Sequence, residues 1–229
     1  MLFQSYYFGF FTMLPVLILG MIVQAKLQTT YSKYAKTVNS RGITGAQMAE
    51  MILRGAGIYD VNVVCINGHL SDHFDPTKKV VRLSSDVYNG TSIASIGIAA
   101  HECGHAIQHQ VQYFPIRVRS AVVGITNFSS RLLYPLMILS FIVAGSFGTV
   151  VFNVLMLCYA VIFFFQLITL PVEFNASSRA VDQIQSAGFS NDDIQGVKKV
   201  LSAAAMTYVT TAITVLCQML ILFRRRLNR

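Results

Sequence analysis

Charge is scarce in this chain. Only 12% of its 229 residues are charged while 54% are hydrophobic, which excludes a simple soluble globule. The scarcity is uneven: residues 1–25, 132–172 and 200–223 carry no charge at all. At about 1.5 Å per helical residue each stretch can cross a hydrocarbon core of about 30 Å, and the middle one can cross twice. With Gly145-Ser146-Phe147-Gly148-Thr149 as a tight connection, four spans are expected, over about 4–25, 132–147, 150–170 and 206–223. Residues 1–25 lack the positive n-region of a cleavable signal and their apolar run is too long for one, so they read as a retained anchor.

Other absences narrow the function. Cys65, Cys103, Cys158 and Cys217 form no Cys-x-x-Cys pair, and two of them fall in expected spans, so they read as reduced packing residues. No internal repeat, low-complexity tract or disordered linker is visible. The net charge of +8 does not point to nucleic acid. Lys26, Lys33, Lys36, Arg41, Arg117, Arg119, Arg131 and the three arginines at 224–226 all lie beside expected spans, where basic residues anchor and orient membrane proteins.

What is present is His101-Glu102-Cys103-Gly104-His105, a His-Glu-x-x-His pattern. On a helix the two histidines lie one turn apart on one face and can ligate one zinc, with Glu102 beside a bound water. Small apolar neighbours, Ile98, Ala99, Ala100, Ala106 and Ile107, suit a tightly packed helix, expected over about 91–112 and stopping before Pro115. The motif lies in a water-facing segment, 26–131. Thr44 and Gln47 form a capping-box start there, after which Met48, Ala49, Ile52, Leu53 and Ala56 mark one helix face before Gly57 ends it. Residues 61–66 and 79–83 read as strands.

A catalytic zinc takes three protein ligands plus water. A metzincin would need a histidine six residues after His105, where Val111 stands, and no histidine follows His109. The acids beyond the motif are Glu173, Asp182, Asp192 and Asp193. A hairpin of spans returns Glu173 to the side on which Arg131 left, and Pro171 is placed to open a new helix carrying Glu173 in its first turn. Glu173 is therefore the expected third ligand. The competing loop, with His69, Asp72, His73 and Asp75, lacks the one-face geometry of a helix; it reads as structural or cleft-lining, with Asp72 and Asp75 capping turns. His109 reads as a helix-end residue, and Cys103 as a packing residue in place of a thiolate ligand.

Several runs carry a resemblance: Gly68-His69-Leu70-Ser71-Asp72-His73-Phe74-Asp75-Pro76, Lys79-Val80-Val81-Arg82-Leu83-Ser84, Val87-Tyr88-Asn89-Gly90, the motif from Ala99 to His109, and Glu173-Phe174-Asn175-Ala176-Ser177. Together they resemble the bacterial family of membrane-bound neutral zinc metallopeptidases, the YugP-like proteins, distantly similar to HtpX-type gluzincins. The resemblance covers nearly the whole chain. It implies His101, His105 and Glu173 as ligands of one catalytic Zn2+ and Glu102 as base. In the HtpX-type pattern an Asp follows the ligand Glu by four residues; here it is Ser177, so the support of the zinc histidines does not carry over.

The expected fold is therefore a mainly α membrane protein with about four transmembrane helices and a small α+β zincin-like (gluzincin) catalytic domain. The organisation expected is an anchor at 1–25, the zincin-like domain at 26–131, a transmembrane hairpin at 132–172, the third-ligand segment at 173–199, and a last span with basic tail at 200–229. The expected activity is hydrolysis of peptide bonds in protein or peptide substrates at the bilayer surface. Substrate is expected along a free edge of the strand holding Val80, Val81, Arg82 and Leu83, near His69 and His73. Oxyanion candidates are Arg179, Tyr88 and Tyr208. The rival readings are an intramembrane site-2-type protease and a zinc-braced scaffold without activity. The positive-inside rule puts the catalytic domain in the cytoplasm, at the bacterial inner membrane, although the arginines at 224–226 then fall outside if the last segment crosses.

Overall fold

The computed structural model describes residues 2–227 apart from Leu70 and Ala144, with the side chains of residues 2–10, Phe141 and Arg225 also outside the description. The elements run α1 (Leu2–Tyr34), α2 (Gly45–Gly55), β1 (Asn62–Ile66), β2 (His73–Asp75), β3 (Val80–Ser84), α3 (Ser85–Tyr88), α4 (Ile93–Gln110), α5 (Phe114–Ile142), α6 (Gly145–Ser186) and α7 (Asn191–Leu227). This is a mainly α membrane protein with a small α+β part. Four of the helices, α1, α5, α6 and α7, are long and apolar enough to cross a membrane. Their apolar windows are only 11–28% buried, so most of that apolar surface faces outward, as a lipid-facing helix requires.

Contacts divide the chain into two compact units. The first comprises residues 1–23, 117–170 and 207–229. Within it Leu155, Tyr159 and Ile162 of α6 pack with Val215 of α7, flanked by Leu133, Leu136 and Met137 of α5. Arg226 near the end of α7 donates to Thr149 Oγ1 at 2.9 Å and lies over the Phe152 ring.

The second unit comprises residues 24–116 and 171–206. The capping box starts α2: Gln47 N donates to Thr44 Oγ1, and Thr44 N to Gln47 Oε1. Its expected apolar face is buried, with Met48, Ala49, Ile52 and Leu53 at most 3% exposed. That face packs on Ile96, Ala99, Ala100 and Cys103 of α4, and the same core takes in Val81 and Leu83 of β3, Ala180 and Ile184 of α6, and Val197 of α7. The sheet order is β1-β3-β2, with β1 parallel and β2 antiparallel to β3.

Three expectations are corrected here. β3 is the central strand, paired on both sides, so Val80, Val81, Arg82 and Leu83 offer no free edge; Val81 and Leu83 are fully buried. Pro171 does not open a new helix but lies inside the 42-residue α6. Proline costs a helix one N–H, a loss that neighbouring groups and local adjustment in long membrane helices can absorb. The connection between the hairpin helices comes earlier than 145–149, because α5 ends at Ile142 and Gly145, with φ of 70°, already begins α6.

Candidate metal centre

The centre is built on α4. Ser92 caps the helix, its side chain accepting from Ser95 N, and the helix ends at Gln110. His101 and His105 therefore lie one turn apart on one face, their rings 4.8 Å apart and nearly perpendicular. Small residues let the neighbouring helices approach this face. A Cβ on Gly104 would lie 2.6 Å from the Ala176 carbonyl oxygen, so only glycine lets α6 come this close. That approach brings in Glu173, one turn before Ala176.

Glu173 Oε2 lies 3.3 Å from His101 Nε2 and 3.7 Å from His105 Nε2. The three ligand atoms fall within 4.8 Å of one another and could hold a metal ion. Tetrahedral zinc with bonds of about 2.0–2.1 Å needs ligand atoms about 3.3–3.4 Å apart; the Glu173–His101 spacing of 3.3 Å matches this, and the rest of the group must draw in from as far as 4.8 Å to close on an ion. The Glu173 side chain is 4% exposed, while those of His101 and His105 keep 16% and 11%, so water can reach the histidine side of the group.

The far nitrogens of both rings are engaged. His105 Nδ1 lies 3.0 Å from Gln108 Oε1, and the amide of this fully buried glutamine is oriented by donation from its Nε2 to the Val172 carbonyl (2.7 Å) and Asn175 Oδ1 (3.1 Å). Oε1 can only accept, so His105 carries its hydrogen on Nδ1 and leaves the Nε2 lone pair for a metal. His101 Nδ1 lies 3.2 Å from Ser177 Oγ, to which it donates when Nε2 is a ligand atom. Ser177 thus stands against a candidate ligand histidine, where the resemblance gave no support to carry over. The chain of contacts continues from Asn175 Oδ1 to Arg179 Nε at 2.8 Å.

Electrostatics follow the same grouping. Burial works against charging His105, but the carboxylates of Glu173 and Glu102 prevail and raise its pKa above the ordinary histidine value. Burial, with the Glu102 charge added, pushes the Cys103 thiol up, and Cys103 Sγ faces the Ala49 carbonyl. Cys103 is a neutral packing group outside the ligand set. Glu102 is buried, and its Oε2 accepts from Phe74 N at 3.0 Å.

The remaining candidates lie elsewhere. His69 is exposed, its Nδ1 3.2 Å from Asp86, and His73 Nδ1 meets the Ser71 carbonyl at 2.8 Å; neither joins the metal group. Asp75 caps a turn as expected, accepting from Thr77 N and Lys78 N. Asp72 instead bridges to the end of β3, accepting from Ser84 N and Oγ. His109 is near the end of α4, edge-on to Phe74. Tyr88 is half-buried against the core, and Tyr208 lies on α7 within the other unit. Gln108, Asn175 and the Phe74 N–H escaped sequence reading. Only Gln108 left a signal, its position one turn beyond His105.

Comparison with known proteins agrees with this chemistry. A family model described as "Putative neutral zinc metallopeptidase" matches residues 9–226. The "Putative membrane protease YugP" of Bacillus subtilis (strain 168) is 46% identical over 213 residues, covering 92% of this chain and 93% of its own length. No solved structure matches.

Proposed function

The chain belongs to the family described as "Putative neutral zinc metallopeptidase", and from that premise we propose that it hydrolyses peptide bonds in protein or peptide substrates at the membrane surface. In this reading His101, His105 and Glu173 hold one catalytic zinc in a gluzincin arrangement, and Glu102 is the general base. The observation that carries it is the convergence of three ligand atoms within 4.8 Å of one another, with both histidine Nδ1 atoms already engaged.

Held by His101, His105 and Glu173, a zinc ion would supply Lewis acidity for activating water and polarising the scissile carbonyl. Glu102 takes the proton from the attacking water and delivers it to the leaving amine. The Phe74 N–H holds the Glu102 carboxylate in the resting site. Because β2 is an edge strand and that N–H points away from β3, an extended peptide added to β2 would lie beside Glu102. Pairing there takes over the Phe74 N–H and releases the base. β2 thereby replaces β3 as the substrate strand in this reading.

Two observations favour this over its rivals. The motif helix α4 is not among the four helices apolar and long enough to cross a membrane, as a site-2-type protease would need. A closed structural zinc takes four protein ligands, whereas the group found among the described residues has three. Basic residues following α1 support a cytoplasmic site in a bacterial inner membrane. The test is Glu102→Gln in purified protein: zinc content stays at the wild-type level while peptide hydrolysis falls by about 10²–10⁴-fold. Undiminished hydrolysis would remove Glu102 from the mechanism.

A further inference from the structure

Lys26 and Lys33 lie two turns apart on one face of α1, and Lys198 and Lys199 are adjacent on α7. All four line one groove of about 580 Å³. No carboxylate lines it, and among the described residues none of the four ammonium groups is in an ion pair. Gathering four like charges without a protein counter-ion is self-repulsive, and an external anion offsets that cost. Thr30 and Ser202 add hydroxyl donors to the same walls, whereas the Thr29 hydroxyl is turned to the Ala25 carbonyl.

The ligand must also suit an apolar side. Ala203, Met206 and the buried Tyr34 complete the lining. Both walls belong to helices long and apolar enough to cross a membrane. Lysine-rich surfaces beside membrane helices attract anionic headgroups, and lysine ammoniums with hydroxyls form charge-assisted hydrogen bonds to phosphate oxygens. We propose that this groove binds the phosphate headgroup of an anionic membrane phospholipid. It is separate from the metal centre and shares no residue with it.

The test uses the full-length protein purified in neutral detergent, with lipid occupancy read by native mass spectrometry. The probes are dioleoyl phosphatidylglycerol, dioleoyl phosphatidylcholine and inorganic phosphate. Wild-type protein retains phosphatidylglycerol over phosphatidylcholine, and inorganic phosphate at equal concentration does not displace it. The variant Lys33→Gln/Lys198→Gln/Lys199→Gln loses on the order of tenfold in phosphatidylglycerol affinity. Lys36→Gln/Arg54→Gln/Lys78→Gln makes the same charge change outside the groove and retains it. Equal retention of the two lipids, an unaffected groove variant or equal loss in the control variant overturns the proposal. Displacement by inorganic phosphate also overturns it, by assigning the groove to a soluble anion. The wild-type comparison decides the lipid preference without reliance on any variant.

Discussion

In each candidate ligand histidine, Nδ1 is held by a side chain that is not itself a ligand, and this leaves Nε2 for the metal. Gln108→Leu would strand a buried His105 N–H and leave the Val172 carbonyl without that donor. Ser177→Ala would remove the acceptor from His101. Either change should weaken zinc binding by about 10–100-fold, measured by competition with a chromogenic chelator, with Gln108→Leu the larger effect because its site is fully buried. Cys103 offers a second check. It is fully buried while Cys65 is exposed, so iodoacetamide should label Cys65 in the folded protein and reach Cys103 only after denaturation. The candidate ligand pair and the candidate base can be picked out from the sequence because one helical turn contains them. The contacts of Ser177 and Asn175, and the orientation of the Gln108 amide, cannot, because they arise only where α6 meets α4.

Helix α6 crosses close to α4 beside the candidate metal group. The Ala176 carbonyl oxygen occupies the space a Cβ on Gly104 would need, so Gly104→Ala must push the helices apart and carry Glu173 with them. A destabilisation of about 1–3 kcal/mol is expected from such overpacking. Zinc content should fall with it, and full zinc occupancy in Gly104→Ala would show that the crossing does not set the site. Elements with local signals were readable: the capping box set the start of α2, and the four apolar helices followed from charge-free stretches. Two were misread for physical reasons. Pro171 obeys the rule for helix starts in water, yet α6 runs through it. β2 has only three residues, too few for an alternating pattern, and without it β3 looked like an edge.

At the scale of the whole chain, His101, Glu102, His105 and Glu173 fall in one compact unit, the one comprising residues 24–116 and 171–206, so all three candidate ligands and the candidate base belong together. The orientation proposed for it has a direct check. A reporter fused after Asn89 should be active only in the cytoplasm, and activity confined to the outside would reverse the assignment. The basic end of α7, which argued against four crossings on charge alone, includes Arg226, held by Thr149 and stacked on Phe152. The central claim, that Glu173 completes a zinc site begun by the motif histidines, is tested most directly by bound zinc per chain in purified wild-type and Glu173→Ala protein. Wild type should hold roughly one zinc and Glu173→Ala well under half of that; stoichiometric zinc in Glu173→Ala would contradict the claim.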